Sequence, residues 1–160
     1  LEKFDVEHAS NSFMGTLYSK AIYDKIKPDT LDIYYNESGA KITSYEVNDG
    51  KKVKSYDSIY FREYLDKKDK YATFCGENEP LVTIKTDSTS NKKLLVFKDS
   101  YAHCYVPFLA QHYSEITMLD MRYINTSYNN IVNIKDYDQA LFLYNGSTFA
   151  SDTNIKKLDF

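Results

Sequence analysis

The sequence predicts an α/β domain whose parallel sheet is covered on both faces, and three observations carry that expectation. Short continuous apolar runs recur in the second half, at residues 81–84, 94–97, 116–119 and 140–144. Stretches of helical spacing separate the last three, around residues 106–113 and, more weakly, 128–134. Strands that are apolar throughout, rather than alternating, are strands buried on both faces. A chain of 160 residues is long enough for one domain with a real core and too short for two comfortable ones.

The elements follow in order. Residues 1–20 mix polar and apolar positions, with Phe13, Met14 and Leu17 at helical spacing and Gly15 interrupting. Pro28-Asp29 punctuates the chain before Leu31-Asp32-Ile33-Tyr34-Tyr35, an alternating strand. Residues 36–40 read as a turn and 41–47 alternate again. Asn48-Asp49-Gly50 is then a strong hairpin signal before 51–56. Residues 29–58 therefore read as a small antiparallel hairpin insertion. The polar spacer 86–91 reads as a second hairpin, joining 81–84 to 94–97. Pro107 fits only the first turn of its helix, after an irregular segment 101–105.

Composition narrows the partners. The chain is 42% hydrophobic with a net charge of −3, and its charges of both signs are interspersed. No apolar run approaches a membrane span, and no basic stripe marks a nucleic-acid partner. Sixteen Tyr and no Trp, with many Asn, Lys and Ile, suggest an AT-rich genome. Tyrosine also suits carbohydrate surfaces, although half-burial on strands is the ordinary use. Cys75 and Cys104 have no metal-ligand spacing and read as two isolated buried thiols, with a disulfide left open. The chain opens at Leu1, without Met or a signal peptide, and so reads as a processed product or a piece of something longer.

Chemistry concentrates in Lys92-Lys93-Leu94-Leu95-Val96-Phe97-Lys98-Asp99-Ser100-Tyr101-Ala102. An apolar strand stops at an Asp-Ser pair and a helical stretch follows. A serine at the carboxyl end of a buried strand, before a helix, is where α/β hydrolytic folds place a nucleophile. Unsatisfied N–H groups at the helix start favour an oxyanion. The same position also favours a helix-capping Ser, and Asp99 is equally well a shaper of the nucleophile turn or an N-terminal helix charge. Three histidines bear on a base. His103 is too close in sequence to Ser100, His112 reads as a charge-dipole partner at a helix end, and His8 lies near the start. No combination has zinc spacing, and nothing calls for a cofactor. Residues 77–79 read as a connecting loop, and 66–70 as a solvated charged face.

Five segments in one order complete the pattern: Phe13-Met14-Gly15-Thr16-Leu17-Tyr18-Ser19-Lys20, Lys68-Asp69-Lys70-Tyr71-Ala72, residues 95–102, Pro107-Phe108-Leu109-Ala110, and Leu119-Asp120-Met121-Arg122-Tyr123. Together they resemble the carboxy-terminal two-thirds of the bacterial DHHW family, an SGNH-hydrolase-like group related to the alginate O-acetyltransferases. The resemblance implies a flavodoxin-like (SGNH-hydrolase-like) three-layer sandwich over residues 1–160, as one domain lacking its amino-terminal part. It implies an extracytoplasmic bacterial protein, secreted or at the cell surface, with room for a membrane anchor upstream. The implied partner is a carbohydrate or acylated glycan, and the implied chemistry is acetyl transfer to or from a sugar hydroxyl. In that reading Ser100 carries the acyl group, Arg122 holds a sugar hydroxyl or an acidic group, and Asn145 is an oxyanion donor. Tyr101 lines the site, Asp99 supports it, and backbone N–H groups after Ser100 complete the oxyanion hole. The bland alternative for Arg122 is an ion pair with Asp120 or Glu115. The family's Asp-His-His-Trp segment, the implied source of the general base, has no counterpart here and would lie upstream of Leu1. A serine without a base is a poor nucleophile, so the 160 residues alone are expected to be catalytically incomplete. A non-catalytic carbohydrate-binding or scaffold domain is the competing reading.

Overall fold

A computed structural model describes residues 4–15, 18, 25–37 and 39–158. The chain divides into two compact units, one made of residues 1–38 and 59–77, the other of 39–58 and 78–160.

In the first unit, strand β1 (Asp5–Phe13) pairs antiparallel with β2 (Asp29–Tyr35). Only Leu31 and Ile33 of this ribbon are buried, so β1 shows no clean alternation for a sequence reading to catch. Phe13, expected at helical spacing, is instead the last residue of β1, and Leu17 lies outside the described residues. A cross-link fixes the ribbon to the short 3-10 helix Arg62–Asp66: the Arg62 guanidinium donates to both Glu7 carboxylate oxygens and to the Tyr35 hydroxyl. Cys75 and Gly76 both take left-handed backbone, with φ of 60° and 71°.

The second unit holds a six-stranded sheet of order β4-β3-β5-β7-β6-β8. Its strands are β3 (Ile42–Asn48), β4 (Val53–Tyr56), β5 (Leu81–Thr86), β6 (Lys93–Lys98), β7 (Glu115–Leu119) and β8 (Gln139–Leu143). The hairpin signal at Asn48-Asp49-Gly50 joins β3 to β4, with Gly50 at φ 83° where a side chain would be strained. Residues 29–58 thus divide between the two sheets, β2 in one and the β3–β4 hairpin in the other.

The sheet is mixed, which corrects the expectation of a parallel one. Only β7, β6 and β8 run parallel, whereas β5 pairs antiparallel with both β3 and β7. The spacer 86–91 does not close a hairpin either, because β7 inserts between β5 and β6. Its start is tied to the chain entering β7, where Thr86 N donates to Ser114 O at 3.0 Å. Helical cover is sparser than the spacing suggests. Of residues 106–113 only Val106–Leu109 (α1) is α-helix, with Pro107 in its first turn as expected. The segment expected to be irregular before it is a 3-10 helix, Ser100–Tyr105. Residues 128–134 give only 3-10 turns, and a second short helix, α2 (Gly146–Ser151), follows β8. Among the described residues no helix is long and apolar enough to cross a membrane.

The core explains why the parallel strands hold. Leu95, Phe97, Leu119, Met121, Ile124, Tyr128 and Leu158 form one buried cluster. Phe97 stacks on Phe142 at 4.9 Å and meets Tyr128 edge-on at 5.5 Å. Full burial of such a side chain stabilises by roughly 1.5–3 kcal/mol, and the aromatic contacts add to this. Because side chains alternate along a strand, Leu94, Val96 and Lys98 lie on the sheet face opposite Leu95 and Phe97. Lys98 is therefore drawn inside with the apolar residues of its face.

Candidate functional site at the carboxyl edge of the parallel strands

Three parallel strands end at one edge, the place where open α/β sheets gather ligands. β6 leads into Asp99-Ser100, β7 into Asp120-Met121-Arg122, and β8 into Tyr144-Asn145. Each exit is shaped by the same device, a short acceptor side chain that captures the N–H two residues on. Asp99 accepts from Tyr101 N at 2.9 Å, Asp120 from Arg122 N at 3.2 Å and Asn145 from Ser147 N at 2.9 Å. That preference of Asp and Asn for local backbone bonding ends a strand and starts a helical turn.

Asp99 does more than cap. Its second oxygen accepts Asn145 N at 2.9 Å, and its own N–H donates to Leu143 O at 3.3 Å. The buried carboxylate thus locks the Ser100 turn to the end of β8. Ser100 opens the 3-10 helix Ser100–Tyr105 and is half-buried, while Tyr101 beside it is exposed. One expectation changes here. The resemblance implies an oxyanion hole from the N–H groups after Ser100, yet Tyr101 N donates to the Asp99 side chain and Ala102 N to Asp99 O at 3.3 Å. The turn uses these donors itself, because a carboxylate at its first residue competes for them.

Arg122 makes the ion pair with Asp120 rather than with Glu115, which pairs with Lys93 at 3.3 Å. Its Nε lies 2.9 Å and an Nη 2.6 Å from the two Asp120 oxygens, a forked geometry. Asp120 is fully buried and 30% of the Arg122 side chain is exposed, so the cation is held from behind and presented at the edge. The hydrogen bonds that it donates to Asp120 raise its proton affinity further above the usual arginine range. Asn145 spends its side-chain oxygen on capping α2, accepting from Ser147 N, Thr148 N and Ser147 Oγ.

Lys98, two residues before Ser100, has a burial that its sequence context does not announce. The Lys98 side chain has no solvent exposure; its Nζ is 2.7 Å from His103 Nε2 and 3.5 Å from Asp120 Oδ2. Register explains the second contact, since Phe97 faces Leu119 and the next residues are Lys98 and Asp120. The only local signal was a lysine closing a run of four apolar residues. His103 is thereby turned toward Lys98. His112 is exposed past the end of α1, and His8 in the first unit pairs with Asp32 at 2.8 Å. No disulfide joins the cysteines; Cys75 is buried and Cys104 half-buried. Loop residues Glu77 and Tyr64 share a hydrogen bond within the first unit.

Comparison with known proteins fits this geometry. A family profile described as DHHW protein matches residues 1–119, which include Ser100. Among solved structures, a DHHW family protein from Eubacterium siraeum superposes with a TM-score of 0.77 at 25% identity, over 96% of this chain and 52% of its own. Bacillus cereus PatB1 with a sulfonyl adduct gives a TM-score of 0.69 at 22% identity, covering 94% and 49%. A second PatB1 structure gives 0.66 at 26%, covering 82% and 45%. The chain spans about half the length of these relatives. No curated protein sequence matches. With nearly three-quarters of its length matched by the profile, the chain belongs to the DHHW family.

Proposed function

We propose that this chain is the serine-bearing part of an extracytoplasmic O-acetyltransferase or acetylesterase that acts on a bacterial surface polysaccharide through an acyl-serine. The observation that carries the reading is Ser100 itself, half-buried at the carboxyl end of the central parallel strand, in a turn that Asp99 locks to β8. The reading includes a flavodoxin-like three-layer frame, supported by the three parallel strands that converge on this edge. The sulfonyl adduct in a PatB1 structure also supports it, since sulfonyl groups add to nucleophilic atoms.

In the proposed reaction Ser100 Oγ attacks the acetyl carbonyl and its proton passes to an imidazole. The tetrahedral intermediate collapses, the donor oxygen leaves with a proton, and acetyl-Ser100 remains. A sugar hydroxyl or water then attacks the ester and regenerates the serine. The imidazole belongs to the Asp-His segment that the family places before the serine. Arg122, anchored by Asp120, supplies N–H donors to a sugar hydroxyl or an acidic group. Which acceptor wins depends on how well the assembled pocket excludes water. Acetyl turnover by the full-length polypeptide is expected to vanish in Ser100→Ala; unchanged turnover would sink the reading.

A specific observation favours a second reading, a carbohydrate-binding domain without catalysis. Tyr101, Tyr105 and Tyr123 are each more than half exposed and all follow the ends of β6 and β7. Exposed rings with one apolar face suit sugar faces. That reading expects saturable glycan binding that survives Ser100→Ala and weakens in Arg122→Ala.

A further inference from the structure

Lys98 is a buried cation directly before the Asp99-Ser100 pair, and its burial needs an explanation. An ammonium removed from water is costly unless charges and hydrogen bonds compensate it. Here the Asp120 carboxylate and the His103 imidazole stand beside it. Asp120 is already held by both forks of Arg122, so this carboxylate serves two cations. At the same edge a second buried carboxylate, Asp99, is held by backbone N–H groups. Taking away the Lys98 charge would leave two carboxylates facing the single Arg122 cation among these four residues. An oxyanion forming on a substrate at Ser100 would then develop against one more net negative charge.

We propose that Lys98 is a positioning residue for the Ser100 site: it balances the buried carboxylate of Asp120 and fixes His103 as a neutral hydrogen-bond acceptor, so that the edge tolerates an oxyanion. The assignment rests on the reading of Ser100 as nucleophile. An ammonium has donors only, so His103 Nε2 must accept, and the ring proton sits on Nδ1. His103 therefore packs the 3-10 helix Ser100–Tyr105 against β6 and offers no base to Ser100 through Nε2. His103 and Asp120 contact Lys98, Arg122 shares Asp120 with it, and the Tyr144 phenol is close enough to feel Asp120, Asp152 and Asp99.

The test uses the full-length polypeptide and a serine-directed fluorophosphonate, whose attack builds negative charge on phosphoryl oxygen. Second-order labelling rates of Ser100 are compared in wild type, Lys98→Met and Lys98→Met/Asp120→Asn, with thermal melts confirming folding. Lys98→Met is expected to label at least about tenfold more slowly, since one charge even roughly 12 Å away at an effective dielectric of about 20 is worth that factor. The double variant, which restores the charge balance, is expected to recover part of that loss, as a purely structural role would not. Wild-type rates in Lys98→Met, or a double variant no faster than the single one, would overturn the proposal and leave Ser100's role standing. Absence of wild-type labelling would instead remove both. A second measurement needs no variant: in the ¹⁵N-histidine NMR spectrum His103 is expected as the Nδ1–H tautomer, and a proton on Nε2 would refute the assignment.

Discussion

Among single residues, the edge of the sheet carries buried polar groups whose burial costs stability unless they are paired. The Tyr144 phenol oxygen is buried without a hydrogen-bond partner, and so is one oxygen of Asp152. Burial, with Asp120, Asp152 and Asp99 nearby, pushes the Tyr144 ionisation up to about 12 from an ordinary value of 10. The sign follows directly: above pH 10 the unfolded chain loses this proton and the folded chain keeps it. Folding stability therefore falls between pH 10 and 12. Tyr144→Phe is expected to flatten the fall of melting temperature across that window while leaving stability at pH 7 unchanged or higher, since it removes an unsatisfied group. Asp120→Ala has the opposite character. It strands the Lys98 ammonium, which is fully enclosed, and is expected to destabilise by about 3–5 kcal/mol in denaturant titration. A loss below about 1 kcal/mol would mean that Lys98 is not held by Asp120.

At the scale of elements, three strand exits share one rule: Asp or Asn stops the strand and begins a turn by taking the next free N–H. These starts were legible, because an apolar run that ends on Asp99, Asp120 or Asn145 is a readable boundary. What the side chains would bond beyond their own turn was not. Asn145 looks the same in sequence whether it caps a helix or donates to an oxyanion, and here its oxygen accepts two N–H groups of α2. Asn145→Ala is expected to cost about 0.5–2 kcal/mol and to speed amide exchange at Ser147 and Thr148, whereas Asn145→Asp is expected to preserve both. Helix lengths were overestimated for a related reason. Spacing at 106–113 records which side chains face the core, and short 3-10 turns place them as well as an α-helix does.

At the scale of the molecule, the continuous runs at 94–97 and 116–119 announced β6 and β7, buried on both faces, and the structure pairs them in parallel. The order of the sheet was beyond reach. Whether 81–84 pairs with 94–97 or with 116–119 depends on contacts far apart in sequence, and a polar spacer suits either. The ribbon of β1 and β2 was half hidden, because its exposed residues leave little apolar pattern. Lys98 was hidden by its type, since lysine is almost never fully buried unless paired, and its partner Asp120 stands 22 residues away. The proposed role of Ser100 as nucleophile is read out by intact-mass labelling with a serine-directed fluorophosphonate. The full-length polypeptide is expected to gain one adduct, located on Ser100 and absent from Ser100→Ala. An unlabelled wild type, or an adduct that persists in Ser100→Ala, would contradict that role and leave Ser100 as the first residue of a turn that Asp99 caps.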